Sequence, residues 1–206
     1  LEIGDCDLKI AVDCADLNRL GELKEEFCGN TAAIDHHMTH SEFAEATYVD
    51  ANAPATGEII YDFAEALGVE LTPDIANNIY MAITCDTGSF KYSSTTPKTH
   101  MVAAKLLECG VDVGELSKVI FDTKSMGFLR AYRRGLDNLE VFEGGKIAVL
   151  AITEKDFAEL DVDEKIIDGI VELPRSVEGA LVGVYIRERS SGEFKVSLRS
   201  NGDIDV

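Results

Sequence analysis

The 206 residues carry 38 acidic and 19 basic side chains, a formal charge of −19, so no broad basic face exists to coat duplex DNA. With 46% hydrophobic and 28% charged residues the composition is that of a globular protein, not of a disordered or fibrous one. No run of about 18 apolar residues offers a membrane span and no secretory leader is recognisable, so the cytoplasm is the expected compartment.

The first predicted element is a core strand in "LKIAVDCAD", with Leu8, Ile10 and Val12 alternating against Lys9 and Ala11 and ending near Asp13. Asp16 then caps a predicted helix through "LNRLGELKEEF", where Leu17, Leu20 and Leu23 recur at helical spacing. "TAAIDHH" reads as a second short strand ending in a polar cluster. "ATGEIIYDFAEALG" is an amphipathic helix stopped by Gly68, and Thr72-Pro73 opens the next helix as cap and first residue. Pro97 opens another, which runs to Leu107 and is followed by Gly110. Residues 113–139 are helical and charged, with Arg130, Arg133 and Arg134 on one face. "EVFEGGKIAVLAIT" is a predicted hairpin turning at Gly144-Gly145. A Thr153-capped helix, an acidic helix to Leu173 and a strand pair around "SSG" complete the chain.

Strands alternating with helices predict an α/β protein: a parallel-sheet domain with covering helices over 1–112, a helical linker over 113–139, and a smaller domain with a mixed sheet over 140–206. In parallel sheets polar site residues collect at the carboxyl ends of the strands, and Asp13 and Asp35–His37 fall there. The five cysteines (Cys6, Cys14, Cys28, Cys85, Cys109) are odd in number and lack CxxC spacing, so they are read as reduced, small buried residues in a cytoplasmic chain.

Three of the four histidines, His36, His37 and His40, lie within five positions, and two of them directly follow Asp35. Adjacent strand residues point to opposite faces, so His36 and His37 can share a pocket only across a turn. Asp13 leaves one apolar run and Asp86 another, in "CDTGSF". A buried carboxylate is costly unless it meets a cation. Acids with imidazole suit a hard divalent ion of the manganese or magnesium type, whereas a structural zinc would recruit cysteines.

"AVDCAD", "AIDHH" and "CDTGSF", in that order, resemble successive motifs of the DHH phosphoesterase superfamily, and "KVSLRSNGDIDV" resembles the start of the closing motif of its DHH-associated domain. "TGEIIYDF", "IYMAITCDTGSFKYSSTTPKTH" and the Arg199-Ser200 pair look most like the nanoRNase/pAp phosphatase branch. The resemblance implies a two-metal hydrolase using Mn2+, with Mg2+ as the alternative. Asp13 would bridge the ions, His36 and Asp86 would bind one of them, and Asp35 would orient the histidines. His37 would contact the scissile phosphate or the leaving oxygen. Arg199 and Ser200 would hold the nucleotide, and His100 is a further candidate for substrate contact.

The implied substrates are short oligoribonucleotides and 3′-phosphoadenosine 5′-phosphate, and the resemblance leans toward a homodimer. The branch's first motif, with its Asp-x-Asp pair, should precede "AVDCAD"; only Asp5 and Asp7 lie upstream, in a context that does not fit. A glycine-rich loop expected after Val206 is also missing. The chain is therefore expected to be the middle of a longer enzyme, to bind metal weakly and to be inactive as it stands. Competing readings are a DHH inorganic pyrophosphatase or exopolyphosphatase, a cyclic-dinucleotide phosphodiesterase, and a nucleotide-binding scaffold without activity. Arg199 favours nucleotides over pyrophosphate.

Overall fold

A computed structural model describes residues 4, 6–162, 169–189, 192–201, 204 and 206. The architecture is the α/β class expected, in two compact units, residues 1–122 and 123–206. The division falls inside the stretch 113–139. No described helix is long and apolar enough to cross a membrane.

In the first unit, β1 (Lys9–Val12), β2 (Thr31–Asp35) and β3 (Ala46–Val49) form a parallel sheet in the order β1-β2-β3. Four helices follow: α1 (Thr56–Ala66), α2 (Pro73–Asp86), α3 (Pro97–Glu108) and α4 (Val113–Ser117), the last running into a π turn at Lys118–Asp122. Local chemistry sets their starts. The Thr72 hydroxyl accepts from the Ile75 amide with Pro73 at the first position of α2. Thr96 and Thr99 close a reciprocal capping box on α3. Ile79, Tyr80, Ile83, Val102 and Leu106 form the core where the helices meet. Gly57 lets α1 approach α2 closely, because a Cβ there would lie 2.8 Å from the Ala82 Cβ and 3.1 Å from the Ile79 carbonyl.

Three sequence expectations change here. Leu17–Glu25 is a 3-10 segment, not an α-helix, and Gly21 breaks it with φ of 58°. Nothing in it is buried, so no packing enforces regular geometry. The large residues of β1 face outward: Leu8, Ile10 and Val12 are 51%, 52% and 45% exposed, while Ala11 is 4% exposed. Alternation distinguishes two faces without saying which is covered. Here the loops after β1 and β2 lie over the face of Ala11, Ala33 and Asp35. They are tied there by Ser41 N to the Ala15 carbonyl (2.8 Å) and Glu45 N to the Thr31 hydroxyl (3.1 Å). The cysteines are free but not buried: Cys6, Cys28 and Cys85 are exposed, and Cys14 and Cys109 are half-buried.

The second unit contains α5 (Met126–Asp137), β4 (Leu139–Phe142), β5 (Ile147–Ile152), α6 (Glu154–Leu160), β6 (Val182–Glu188) and β7 (Phe194–Ser200). Its mixed sheet runs β4-β5-β6-β7, parallel only between β5 and β6. Gly144 and Gly145, with φ of 66° and 92°, turn β4 into β5. Residues 163–168 of the expected acidic helix, and Ser190 and Ser191 of the expected hairpin turn, lie outside the described residues; the described part nearest Leu173 is a pair of 3-10 turns at Ile170–Glu172 and Pro174–Ser176.

Asp156 ties this unit together. It accepts from the Thr153 amide and hydroxyl (both 2.8 Å) and from the guanidinium of Arg134 on α5. Burial alone would raise its carboxyl, but the Thr153 bonds and the Arg134 pair hold it below the usual carboxylate range. A depressed native value means that the stabilisation is complete above the unfolded value, about pH 4, and is lost as pH falls through the native one. Urea unfolding should therefore show a falling midpoint below about pH 4. Asp156→Asn should flatten that fall while costing about 2 kcal/mol at neutral pH.

Candidate metal centre

The end of β1, the loop after β2 and the end of α2 meet at one place. The Asp13 amide donates to the Ile34 carbonyl (3.0 Å), which continues the ladder by one residue, and Asp13 then turns with φ of 61°. A left-handed non-glycine residue is uncommon, and aspartate is one of the few that adopt it readily. The Thr56 hydroxyl, at the first residue of α1, donates to Asp13 Oδ1 at 2.8 Å. Asp86 closes α2, beyond which Gly88, Ser89 and Phe90 all adopt positive φ. That turn is locked by the Thr87 hydroxyl, which donates to the Ile83 carbonyl at 2.6 Å and accepts from the Phe90 amide at 3.0 Å.

His36 is set by backbone. Its Nδ1 lies 3.2 Å from the Ala53 carbonyl, and the loop bearing Ala53 hangs from the end of β2 through Asp50 N to the Asp35 carbonyl (3.1 Å). A carbonyl only accepts, so Nδ1 carries the proton and Nε2 presents a lone pair. That Nε2 lies 3.5 Å from Asp13 Oδ1 and 3.7 Å from Asp86 Oδ2, too far for good hydrogen bonds. In the neutral ring that lone pair therefore faces a carboxylate oxygen of Asp13 on one side and of Asp86 on the other. Ligands about 2.0–2.2 Å from one ion stand no more than about 4.4 Å apart, and His36 Nε2 meets that limit with each of the two carboxylates. Donor atoms of Asp13, His36 and His37 all lie within 4.8 Å of one another. Oxygen and imidazole donors suit a divalent cation: Asp13, His36 and His37 gather closely enough to share one, while Asp86 stands outside that group, 3.7 Å from His36 Nε2.

The electrostatics call for positive charge. Burial, then the facing charge of Asp13, push the Asp86 carboxyl above its ordinary range, and the His36 and His37 rings offset this only in part. Partial desolvation, with Asp13 and Asp35 nearby, likewise raises the Cys14 thiol, and partial desolvation with Asp86 nearby raises that of Cys85 although the residue as a whole is exposed, so neither offers a ready thiolate.

Asp35 is fully buried. Its Oδ1 accepts from the His36 amide (2.8 Å) and faces His37 Nδ1 (2.7 Å), and its Oδ2 faces His40 Nδ1 (2.7 Å). Burial would raise this carboxyl, yet the bonds from His37, His40 and the His36 amide hold it below the ordinary range. Two imidazoles therefore clamp one carboxylate, with the proton on Nδ1 in each. The rings of His36 and His37 meet edge to face at 4.7 Å. Beside the centre opens a cavity of about 320 Å³, lined mainly by apolar groups of α1 and α2 with Asp13 and Asp86 at its rim.

The other sequence candidates lie elsewhere. His100, on α3, is exposed, stacks on Phe90 at 5.2 Å and is not among the donors gathered around Asp13. Arg199 and Ser200 sit on β7 of the second unit. The Arg199 Nε lies 3.3 Å from Glu172 Oε1, and its Nη1 donates to the Leu198 carbonyl at 2.9 Å. Sequence reasoning left His40, Thr56 and Ala53 without roles. A third histidine three residues after the pair and a hydroxyl at a helix start were available signals. A backbone carbonyl at Ala53 leaves none.

No family model matches the chain. It is 34% identical over 197 residues, 96% of its own length, to the bifunctional oligoribonuclease and PAP phosphatase NrnA of Thermus thermophilus, of which it covers 58%. A probable protein of the same name from Streptococcus mutans is 29% identical over 96% of the chain, which covers 63% of it. The chain thus spans about three-fifths of the length of these curated relatives. The crystal structure of an exopolyphosphatase-related protein from Bacteroides fragilis superposes with a TM-score of 0.87 at 25% identity, covering 96% of this chain and 59% of that one.

Proposed function

We propose that this chain, similar over nearly its whole length to proteins named bifunctional oligoribonuclease and PAP phosphatase, belongs to an enzyme of the DHH family that hydrolyses phosphoester bonds of short oligoribonucleotides and of 3′-phosphoadenosine 5′-phosphate with a divalent ion. The observation that carries this reading is the gathering of donor atoms of Asp13, His36 and His37 within 4.8 Å of one another, with Asp86 3.7 Å from His36 Nε2. When bound there, Mn2+ (or Mg2+) supplies the charge that neutralises a phosphate and acidifies a water.

The remaining work falls to side chains. Thr56 holds the Asp13 carboxylate in place, and the Ala53 carbonyl holds the His36 ring. His37 keeps Nδ1–H on Asp35, so Nε2 is the nitrogen that can carry a proton toward a phosphate oxygen or a leaving oxygen. In this reading Arg199, Ser200 and His100 make the nucleotide contacts, a guanidinium fork matching a terminal phosphate.

The test is made on the full-length protein. With Mn2+, it should hydrolyse a ribodinucleotide and 3′-phosphoadenosine 5′-phosphate, lose both activities to a chelator, and regain them on adding Mn2+. Turnover of pyrophosphate with neither nucleotide, or activity indifferent to chelation, overturns the reading.

A further inference from the structure

His40 stands outside the donor set, and its surroundings call for an explanation. Its side chain is 5% exposed, its ring lies 5.4 Å from that of Phe43, and its Nε2 is buried with no hydrogen-bond partner. A buried polar atom left unsatisfied weakens the fold. A hydrophobic residue of similar volume would avoid that cost, so the imidazole must return something through its one polar contact, Nδ1 to Asp35 Oδ2 at 2.7 Å. Because the carboxylate only accepts, the proton sits on Nδ1. The buried Nε2 is then a bare lone pair, a smaller penalty than an N–H with no acceptor.

We propose that His40 is a positioning residue. By fixing Oδ2 of the fully buried Asp35, it prevents the carboxylate from rotating about its Cβ–Cγ bond. That aims Oδ1 at the His37 Nδ1–H and the His36 amide, and so keeps His37 in the tautomer whose Nε2 is bare and keeps His36 in place over Asp13 and Asp86. Terminal carboxylate torsions are soft and roughly two-fold, and with Oδ2 unpartnered only the two bonds to Oδ1 would act on the plane. Residues that orient ligands through such bonds change metal affinity or activity by about 10–100-fold when removed. His40 touches neither the candidate ion site nor any reacting atom, so its effect travels only through Asp35.

The geometry supplies a graded test on the full chain. In His40→Asn the side-chain amide nitrogen occupies nearly the position of Nδ1 and still donates. In His40→Gln the donor lies one carbon further out, and in His40→Leu it is gone. Two quantities are read: the tautomer of His37 in the metal-free chain, from long-range 15N–1H spectra, and the Mn2+ dissociation constant by calorimetry. Wild type and His40→Asn should both show His37 protonated on Nδ1 and should bind Mn2+ alike. His40→Leu and His40→Gln should show a mixture of tautomers and bind about 10–100-fold more weakly. If His40→Leu does not fold, His40→Gln against His40→Asn still decides, since both are polar and nearly isosteric with histidine on one side.

Equal tautomers and equal affinities across folded variants overturn the proposal, and so does a His40→Asn chain as impaired as His40→Gln. The proposal rests on the metal-centre reading above, but the two fail separately. A wild-type chain that binds no Mn2+ counts against the centre, while the His37 tautomer in the metal-free variants still decides the role of His40.

Discussion

Asp13→Ala in the full-length protein is expected to lower kcat for ribodinucleotide hydrolysis by at least about 10³-fold, the scale of a disrupted metal centre. Asp13 is the only residue of the group that ties strand, helix and histidine together: it ends β1, accepts from the Thr56 hydroxyl at the start of α1, and faces His36 Nε2 at 3.5 Å. Without its carboxylate, His36 and Asp86 are left as two donors, and Thr56 has nothing to orient. Stability should move in the other direction or not at all. Asp13 is half-exposed, and its charge raises the Asp86 carboxyl, so in the metal-free protein the substitution removes a repulsion. An Asp13→Ala protein that melts no lower than wild type without metal, no longer gains stability from Mn2+ and is catalytically dead is the expected result. Activity within tenfold of wild type would place the chemistry elsewhere and leave the second unit, with Arg199, to be searched first.

Much of the fold could be read from the chain because its helices announce their own starts. Thr72-Pro73 and Thr96-Pro97 are local signals, and the structure uses both as caps. The positions of Asp13, Asp35 and Asp86 were equally readable, since an acid that leaves an apolar run is conspicuous in a linear sequence. What could not be read depends on which surfaces are covered. The alternation in β1 has the same period whichever face is buried, and only the loops carrying Ala15 and Ser41 decide for the alanine face. The four-residue strand Ala46–Val49, exposed throughout, has too little pattern to be seen. Gly21 was visible in the sequence, but its positive φ follows from a path that no neighbouring residue dictates. In the candidate site the gap is of the same kind. His36 is oriented by a carbonyl that any residue at position 53 would provide, and His40 acts through a carboxylate it meets only after a turn.

The sharpest consequence of that clamp is expected from Asp35→Asn, which changes neither shape nor volume. The carboxylate serves three N–H groups: the His36 amide and His37 Nδ1 on one oxygen, and His40 Nδ1 on the other. An amide has one oxygen and one NH2, so on one side a donor must face a donor. If the oxygen stays with His36 and His37, the NH2 confronts His40, whose ring must shift its proton to the buried, partnerless Nε2. If the amide turns over, His37 shifts its proton instead and no longer presents a bare Nε2 to the centre. Either arrangement leaves a buried N–H unsatisfied and should cost about 2–4 kcal/mol in stability, with at least about a 10–100-fold loss of metal affinity or rate. The two can be told apart by a double-mutant cycle. When the conflict lies at His40, removing that donor as well relieves it, so Asp35→Asn with His40→Leu should be no less stable than Asp35→Asn alone, a coupling well above the ~0.5 kcal/mol expected of independent sites. When the conflict lies at His37, the double variant should be worse by the full cost of His40→Leu. Additive losses, with the rate of Asp35→Asn unchanged, would mean that the carboxylate is a buried structural acid and that neither imidazole depends on it for its proton.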